Sequence, residues 1–156
     1  NNQINFYLTL GIVVACDLLD IEPVAGAILF SRCDFTLVKN QEKILKVLGT
    51  DFLKFDAVLS DMAPNASGQR QLDQDRIINL SYLALRFALL HSYKGANFVT
   101  KVWTGPRVDN LANDVQKYYT NFERVKPKSS RKESGEIYLV GRDFKGIKEM
   151  QADNVS

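Results

Sequence analysis

Residues 55–65 read FDAVLSDMAPN, and this stretch decides the fold. The run over residues 55–60 has the length and apolar content of a buried strand, and it ends on Asp61. Pro64 fixes its own φ and restricts Ala63, so we expect a stiff turn immediately after the strand. An acid at a strand end is commonly only a turn residue, so Asp61 has to be judged together with the rest of the chain.

Apolar runs of strand length alternate with segments of helical period along the chain. This alternation predicts an α/β fold, with a mostly parallel sheet and flanking helices. The predicted strands lie near residues 11–16, 27–30, 55–60, 97–103, 121–126 and 136–141, and the predicted helices cover residues 39–48, 75–91 and 108–119. At 156 residues, with 46% hydrophobic and 24% charged residues, the chain is long enough for one sizeable core. We expect one domain over residues 1–142 and a C-terminal tail over residues 143–156, which lacks periodicity.

Several classes of protein do not fit this composition. The two cysteines, Cys16 and Cys33, lie in apolar surroundings without paired-ligand spacing, so we expect core thiols in a reduced compartment and no metal site. The longest apolar run, residues 4–16, is interrupted by polar residues and falls short of the ~20 residues that span a bilayer. No transmembrane helix, cleavable signal or Arg-rich presequence is recognisable, and we expect a monomer with no membrane partner.

Three acids, Asp17, Asp34 and Asp61, each follow a predicted strand. In parallel α/β sheets, ligands bind at the carboxyl ends of the strands. An acid after the second strand of a nucleotide-binding unit commonly accepts hydrogen bonds from ribose hydroxyls, which makes Asp17 a candidate for an adenosine ribose and places Asp34 beside the base. Each acid alone is adequately explained as a turn residue, but three at one sheet edge indicate a binding site.

Five motifs, in order along the chain, resemble those of one enzyme family. They are ACDLLDIEPVAG (15–26), CDFT (33–36), SDMAPNASGQRQLDQDR (60–76), FVTKVWTG (98–105) and KPKSSRKESGEIYLVG (126–141). Together they resemble the RrmJ/FtsJ family of ribose 2′-O-methyltransferases over roughly residues 11–142, and within it the mitochondrial large-subunit rRNA branch.

The resemblance implies a Rossmann-like fold, S-adenosylmethionine as the methyl donor and a Lys-Asp-Lys-Glu tetrad. Transferred by motif, Asp61, Lys101 and Glu136 are the catalytic residues, and Asp17, Asp34 and Asp61 contact the cofactor. The implied reaction is the 2′-O-methylation of the ribose of a uridine in large-subunit rRNA. The implied location is the mitochondrial matrix, with the cytoplasm as the alternative.

A ribose 2′-hydroxyl is a poor nucleophile, so methyl transfer requires in-line alignment with the sulfonium carbon and an acceptor for the hydroxyl proton. Lys101 can supply both, although a free lysine titrates near ~10.4 and a neighbouring Asp61 favours its charged form. Lys101 either takes the proton or orients the hydroxyl while water takes it, and both options remain open. Each of these residues also has a purely structural interpretation. Lys101 could be a surface lysine that packs only its aliphatic stem, and Glu136 could form a cross-strand ion pair. For Trp103, core packing is favoured over base stacking.

Positive charge is concentrated in the C-terminal part of the chain. Residues 1–90 contain 8 Lys and Arg against 10 Asp and Glu, whereas residues 91–156 contain 12 against 8. A charge run is commonly only a solvated face, but this one leads directly into the proposed catalytic residue Glu136. The residues that we expect to contact RNA phosphates are Lys126, Lys128, Arg131 and Lys132. The expected partner is therefore large-subunit rRNA or a pre-ribosomal particle.

Two features of the family pattern are not found in the sequence. A glycine-rich loop should precede GIVVACD, residues 11–17, with the first tetrad lysine upstream of it, but Gly11 stands alone among residues 1–16. We therefore expect the first strand and helix of the fold to be lacking, which predicts RNA binding with weak cofactor binding. The alternative is a catalytically impaired RNA-binding or ribosome-assembly module of the same fold. A nucleotide-binding dehydrogenase is disfavoured because no glycine fingerprint is present.

Overall fold

The computed structural model describes residues 11–49, 54–65, 67–128 and 135–147. These residues belong to two compact units, divided between residues 53 and 54. Within those ranges, unit 1 contains two strands and one helix, and unit 2 contains four strands and two helices.

Unit 1 is built on two short parallel strands, β1 (Val13–Cys16) and β2 (Ala27–Phe30). The register runs from Val13 opposite Ala27 to Cys16 opposite Phe30, so both carboxyl ends lie at the same edge of the pair. Helix α1 (Val38–Lys46) follows, and Ile44 of its predicted apolar stripe is buried. Cys33 is buried and Cys16 is half-buried, and neither forms a disulfide.

Unit 2 contains a four-stranded sheet with two helices. Its elements in chain order are β3 (Phe55–Ser60), α2 (Arg70–His91), β4 (Ser92–Trp103), α3 (Val108–Tyr118), β5 (Tyr119–Val125) and β6 (Glu136–Phe144). The spatial order of the strands is β3-β4-β6-β5. Strand β3 runs parallel to β4, whereas β6 runs antiparallel to both β4 and β5.

The four-stranded sheet of unit 2 is mixed: β3, β4 and β5 run in one direction, and β6 runs in the opposite one. Its two antiparallel pairings both involve β6, the last strand. A parallel connection needs a crossover of about a dozen residues or more. Only residues 126–135 separate β5 from β6, so the chain has to reverse. Within the residues that the structure describes, β1 pairs only with β2, and β3 pairs only with β4.

The core of unit 2 lies between the sheet and helices α2 and α3. The side chains that are almost completely buried there include Ile77, Ala88, Phe98, Val102, Leu111, Val115, Tyr119 and Leu139. Thr100 lies on the same face of β4, and its hydroxyl donates a hydrogen bond of 3.0 Å to the Ser81 hydroxyl of α2. One face of the sheet is therefore committed to packing, which leaves the alternate residues for other roles.

The predicted elements are all present, and only three boundaries moved by three residues or more. Helix α2 begins at Arg70 rather than residue 75, and β4 begins at Ser92 rather than residue 97. Strand β6 continues to Phe144, which is buried in the core and lies beyond the domain boundary expected at residue 142. In the part of the chain that the structure describes, no helix is long and apolar enough to cross a membrane.

Candidate active site

Asp61 and Lys101 lie side by side at one end of the sheet of unit 2. The register pairs Ser60 of β3 with Thr100 of the parallel strand β4, so the next residue along each strand is Asp61 and Lys101. Neighbouring strands are about 4.8 Å apart. Because the Thr100 side chain points into the core, Lys101 points to the opposite face of the sheet. The Asp61 carboxylate is exposed and Lys101 is half-buried.

Glu136 begins β6 and lies diagonally across from Lys101. The antiparallel register pairs Lys101 with Tyr138 and Trp103 with Glu136, so Glu136 is two residues from the position opposite Lys101. Diagonal neighbours on one sheet face are separated by roughly 7–8 Å, within reach of long side chains. The register therefore brings the positions of all three residues expected to be catalytic to one end of the sheet, with Lys101 and Glu136 on the same face. It also places Tyr138 directly opposite Lys101, a residue that sequence reasoning did not select.

The loop that follows Asp61 is fastened to the first turn of α2. The backbone N–H of Ser67 donates to both carboxylate oxygens of Asp73, at 3.0 and 3.1 Å. Asp73 is buried, and these hydrogen bonds from Ser67 hold the pKa of its carboxyl group below the ordinary value. Sequence reasoning missed Asp73, although an acid in the first turn of a helix is a recognisable signal for such contacts.

The loop that follows β4 is also fastened to α2. The Gln74 side-chain amide donates a hydrogen bond of 2.7 Å to the backbone carbonyl of Thr104. The Arg107 guanidinium lies 3.2 Å from the Asp75 carboxylate, in an ion pair that is partly exposed. Trp103 is half-buried against the core, which agrees with the core-packing interpretation of this residue.

Asp17 and Asp34 lie in unit 1, at the carboxyl edge of the β1 and β2 pair. The Cys33 N–H, next to Asp34, donates a hydrogen bond of 2.7 Å to the Asp17 carbonyl, which brings the two acidic positions close together. Asp17 Oδ1 accepts from the Leu19 N–H at 2.8 Å, and Asp34 Oδ1 accepts from the Thr36 N–H and hydroxyl at 2.9 and 2.7 Å. The hydrogen bonds from Thr36 hold the pKa of Asp34 below its ordinary value.

These two acids fit the hydroxyl-rich nucleoside part of S-adenosylmethionine. Both carboxylates are held in place through Oδ1 alone within the described ranges, so Oδ2 of each is available to accept from a ligand. The turn role that we considered for Asp17 and Asp34 is therefore present in the structure. It is compatible with the expected binding role, because the turn occupies only one oxygen of each carboxylate.

The described residues of the basic segment differ in their surroundings. Lys117 pairs with Asp114 at 2.7 Å, and Arg124 pairs with Asp109 at 2.7 Å. Lys126 and Lys128 are exposed just beyond the end of β5. The other two expected phosphate ligands, Arg131 and Lys132, lie outside the described residues. Over residues 11–49, 54–65, 67–128 and 135–147, no cluster of His, Cys, Asp and Glu is suited to hold a metal ion.

The chain is similar to known proteins over most of its length. The pattern of the FtsJ-like methyltransferase family matches residues 3–144. The chain is 46% identical over 136 residues to "rRNA methyltransferase 2, mitochondrial" of Drosophila melanogaster, covering 87% of this chain and 54% of that protein. It is 36% identical over 146 residues to "Ribosomal RNA large subunit methyltransferase E" of Methanocaldococcus jannaschii, covering 93% of this chain and 60% of that protein.

A solved structure has the same fold. The crystal structure of a protein from Plasmodium falciparum, described as a ribosomal RNA methyltransferase, matches with a TM-score of 0.73 at 22% identity. The match covers 86% of this chain and 73% of that one. It confirms the predicted Rossmann-like α/β fold class. The chain spans between about half and two thirds of the length of the curated relatives that it matches.

Proposed function

Because this chain belongs to the FtsJ-like methyltransferase family, we propose that it transfers a methyl group from S-adenosylmethionine to a ribose 2′-hydroxyl of large-subunit rRNA. The finer proposal is a uridine in mitochondrial large-subunit rRNA, in the mitochondrial matrix. The similarity to the fly protein named rRNA methyltransferase 2, mitochondrial, supports that choice of compartment. The family expected from the sequence motifs is confirmed.

The observation that carries the proposal is the register of β3, β4 and β6. It places a lysine between two carboxylates, with Asp61 beside Lys101 and Glu136 diagonal to it on the same sheet face. The three residues are far apart in sequence, and only the strand pairings bring them together. The arrangement provides hydrogen-bond donors and acceptors around one small volume, as the positioning of a hydroxyl group requires.

The residues of unit 1 would hold the methyl donor. Asp17 and Asp34 would accept hydrogen bonds from the adenosine part through the Oδ2 atoms that their turns leave available. The family resemblance implies that Asp61 would also contact the donor. When bound, S-adenosylmethionine supplies an electrophilic methyl group on a sulfonium sulfur.

The residues of unit 2 would hold the acceptor. The Lys101 side chain would lie against the ribose 2′-hydroxyl and either receive its proton or orient it while water receives the proton. Glu136 and Asp61 would fix the Lys101 side chain and accept hydrogen bonds from the ribose. Lys126, Lys128, Arg131 and Lys132 would contact the RNA phosphates and set the orientation of the strand.

A methyl-transfer assay tests the proposal directly. The purified protein is incubated with radiolabelled S-adenosylmethionine and a mitochondrial large-subunit rRNA fragment, and the modified nucleotide is identified by mass spectrometry. We expect a 2′-O-methyluridine in the wild-type reaction and a loss of at least about a hundredfold in Lys101→Ala. Lys94→Ala is the matched control, because Lys94 is an exposed lysine on the same strand, β4, near its start.

The outcomes separate the enzyme from the alternative module. Transfer that Lys101→Ala abolishes and Lys94→Ala preserves supports the proposed reaction. Tight RNA binding by the wild-type protein without transfer would instead identify a binding or assembly module. Transfer to an RNA that carries a 2′-deoxynucleotide at the target position would show that the acceptor is not the ribose hydroxyl.

A further inference from the structure

Gln74 is a nearly fully buried polar side chain that connects α2 to the end of β4. Its exposed fraction is 8%, and its amide nitrogen Nε2 lies 2.7 Å from the carbonyl oxygen of Thr104. A carbonyl oxygen only accepts hydrogen bonds, so the donor has to be the amide NH₂ group of Gln74. Thr104 directly follows Trp103, the last residue of β4.

The same Thr104 peptide segment holds the start of β6. The Thr104 N–H donates a hydrogen bond of 2.8 Å to the carbonyl of Gly135, the residue before Glu136. The two residues approach closely, because a Cβ atom built on Gly135 would lie 2.9 Å from the Thr104 hydroxyl oxygen. Two hydrogen bonds therefore link Gln74 of α2 to the residue that precedes a proposed catalytic acid.

The Gln74 amide packs closely against the backbone of Gly105. A Cβ atom built on Gly105 would meet three atoms of the Gln74 amide group, at 3.0 to 3.1 Å. Only a residue without a side chain at position 105 leaves this space to the amide. Since a buried amide that loses its hydrogen bond is destabilising, the Gln74 side chain has little alternative to the Thr104 carbonyl.

We propose that Gln74 is a positioning residue that holds Thr104 and Gly135, and thereby keeps Glu136 in place across from Lys101. The inference rests on the proposed methyl transfer, since Glu136 matters only if the site acts on a ribose hydroxyl. Gln74 itself acts through the Thr104 peptide and not on the substrate.

This role predicts a selective kinetic defect. Loss of the hydrogen bond lets the start of β6 shift, and a displacement of about 1 Å at a catalytic group can cost up to about a hundredfold in rate. We expect the kcat of Gln74→Met to fall about tenfold to a hundredfold. The KM for S-adenosylmethionine should stay unchanged, because Asp17 and Asp34 belong to unit 1 and are not part of this network.

Three variants isolate the hydrogen bond. Gln74→Met keeps the approximate side-chain volume and removes the donor. Gln74→Glu replaces the donor by a carboxylate, which cannot bond to a carbonyl until it is protonated. Gln71→Met is the matched control, because Gln71 is exposed on the same helix and no hydrogen bond of its side chain is found among the described residues.

The decisive readouts are the kinetic split, its pH dependence and the exchange of one amide proton. Burial opposite a carbonyl raises the pKa of a carboxyl group, so the deficit of Gln74→Glu relative to wild type should shrink as the pH falls from 8 to 6. The Thr104 amide proton should exchange faster in Gln74→Met than in wild type or Gln71→Met. Thermal unfolding confirms that each variant is folded at the assay temperature.

Each result has one meaning. A fall in kcat at constant KM, together with faster Thr104 exchange, supports the inference. An active wild-type protein whose Gln74→Met variant keeps its kcat, or keeps slow Thr104 exchange, overturns the positioning role and leaves the proposed function standing. A wild-type protein without methyl transfer overturns the proposed function, and the positioning role with it.

Discussion

Gly141 is the position where a single added methyl group should damage the fold most clearly. It lies on the core face of β6, opposite Phe98 of β4. A Cβ atom at this position would lie 2.7 and 2.9 Å from two ring carbons of Tyr119 and 2.9 Å from a methyl group of Val115. Favourable carbon contacts begin near ~3.5 Å, so the methyl group would be too close by roughly 0.6–0.8 Å on two sides.

The neighbours of Gly141 have no room to move aside. Tyr119 and Val115 are 1% and 0% exposed, and the Tyr119 ring also contacts the rings of Phe98 and Phe144. Overpacking of this kind costs about 1–3 kcal/mol or more. Because these neighbours are completely buried, we expect the upper end of this range, about 3 kcal/mol. Alanine in a strand otherwise gains about 0.5–1 kcal/mol over glycine, so the net loss should be about 2 kcal/mol.

Urea unfolding monitored by tryptophan fluorescence measures this loss. The chain has a single tryptophan, Trp103, which lies in the same unit as Gly141, so the signal reports the unit that carries the substitution. At about 2–4 °C per kcal/mol, the midpoint of thermal unfolding should also fall by about 4–8 °C in Gly141→Ala. Gly11→Ala is the control, because no atom of the described residues lies within 4 Å of the added Cβ there. A Gly141→Ala protein as stable as wild type would refute the packing described for β6, Val115 and Tyr119.

Three further predictions concern buried hydroxyl groups and the basic segment. The buried Tyr119 hydroxyl has no hydrogen-bond partner among the described residues, so Tyr119→Phe should stabilise the protein by about 1 kcal/mol in urea unfolding. Burial and the hydrogen bond to Asp114 raise the pKa of Tyr82 to about 12, so the unfolded chain releases this proton first, near pH 10. The unfolding free energy should therefore fall as the pH rises from about 10 to 12, and Tyr82→Phe should remove that part of the slope. In filter-binding titrations, Lys128→Ala should reduce the slope of log affinity for RNA against log salt concentration by about 0.7–0.9. Lys117→Ala should change this slope less, because Lys117 is ion-paired with Asp114.

Much of the fold follows from the apolar pattern of the sequence. Each of the nine predicted segments matches a strand or helix of the structure. The reversed direction of the last strand, β6, does not follow from that pattern, because an apolar run of strand length is the same in either orientation. The length of the 126–135 connection carries that information, since it is too short for a parallel crossover.

The start of α2 shows why helix boundaries are harder to predict. Residues 70–74 read RQLDQ and have no apolar period, so the periodic pattern starts at residue 75. In the structure, Asp73 and Gln74 are nevertheless buried, because each has a specific backbone partner. Hydrophobic periodicity identifies apolar side chains that are buried by the hydrophobic effect. It does not identify polar side chains that can be buried because they form hydrogen bonds.

The residues of the candidate site also differ in how readily the sequence identifies them. Asp61, Lys101 and Glu136 could be selected from the sequence because they follow or interrupt apolar strands and match known motifs. Tyr138, Asp73 and Gln74 could not be selected in that way, since their roles depend on what lies across a strand or beneath a loop. The sequence thus suggests the residues proposed to face the substrate more readily than the residues that hold them in place.

The register between β4 and β6 determines both the packing of the core and the arrangement of the candidate site. Thr100 and Val102 are buried on the two sides of Lys101 in sequence, so each core residue of β4 alternates with a residue of the opposite face. A slip of one residue would expose Thr100 and Val102 and would bury the Lys101 ammonium group without a partner. The packing of Phe98, Val102 and Leu139 against α2 and α3 therefore fixes which residue of β6 faces Lys101. It follows that a core substitution far from the candidate site can alter the proposed methyl transfer, provided that it changes this register rather than only the stability.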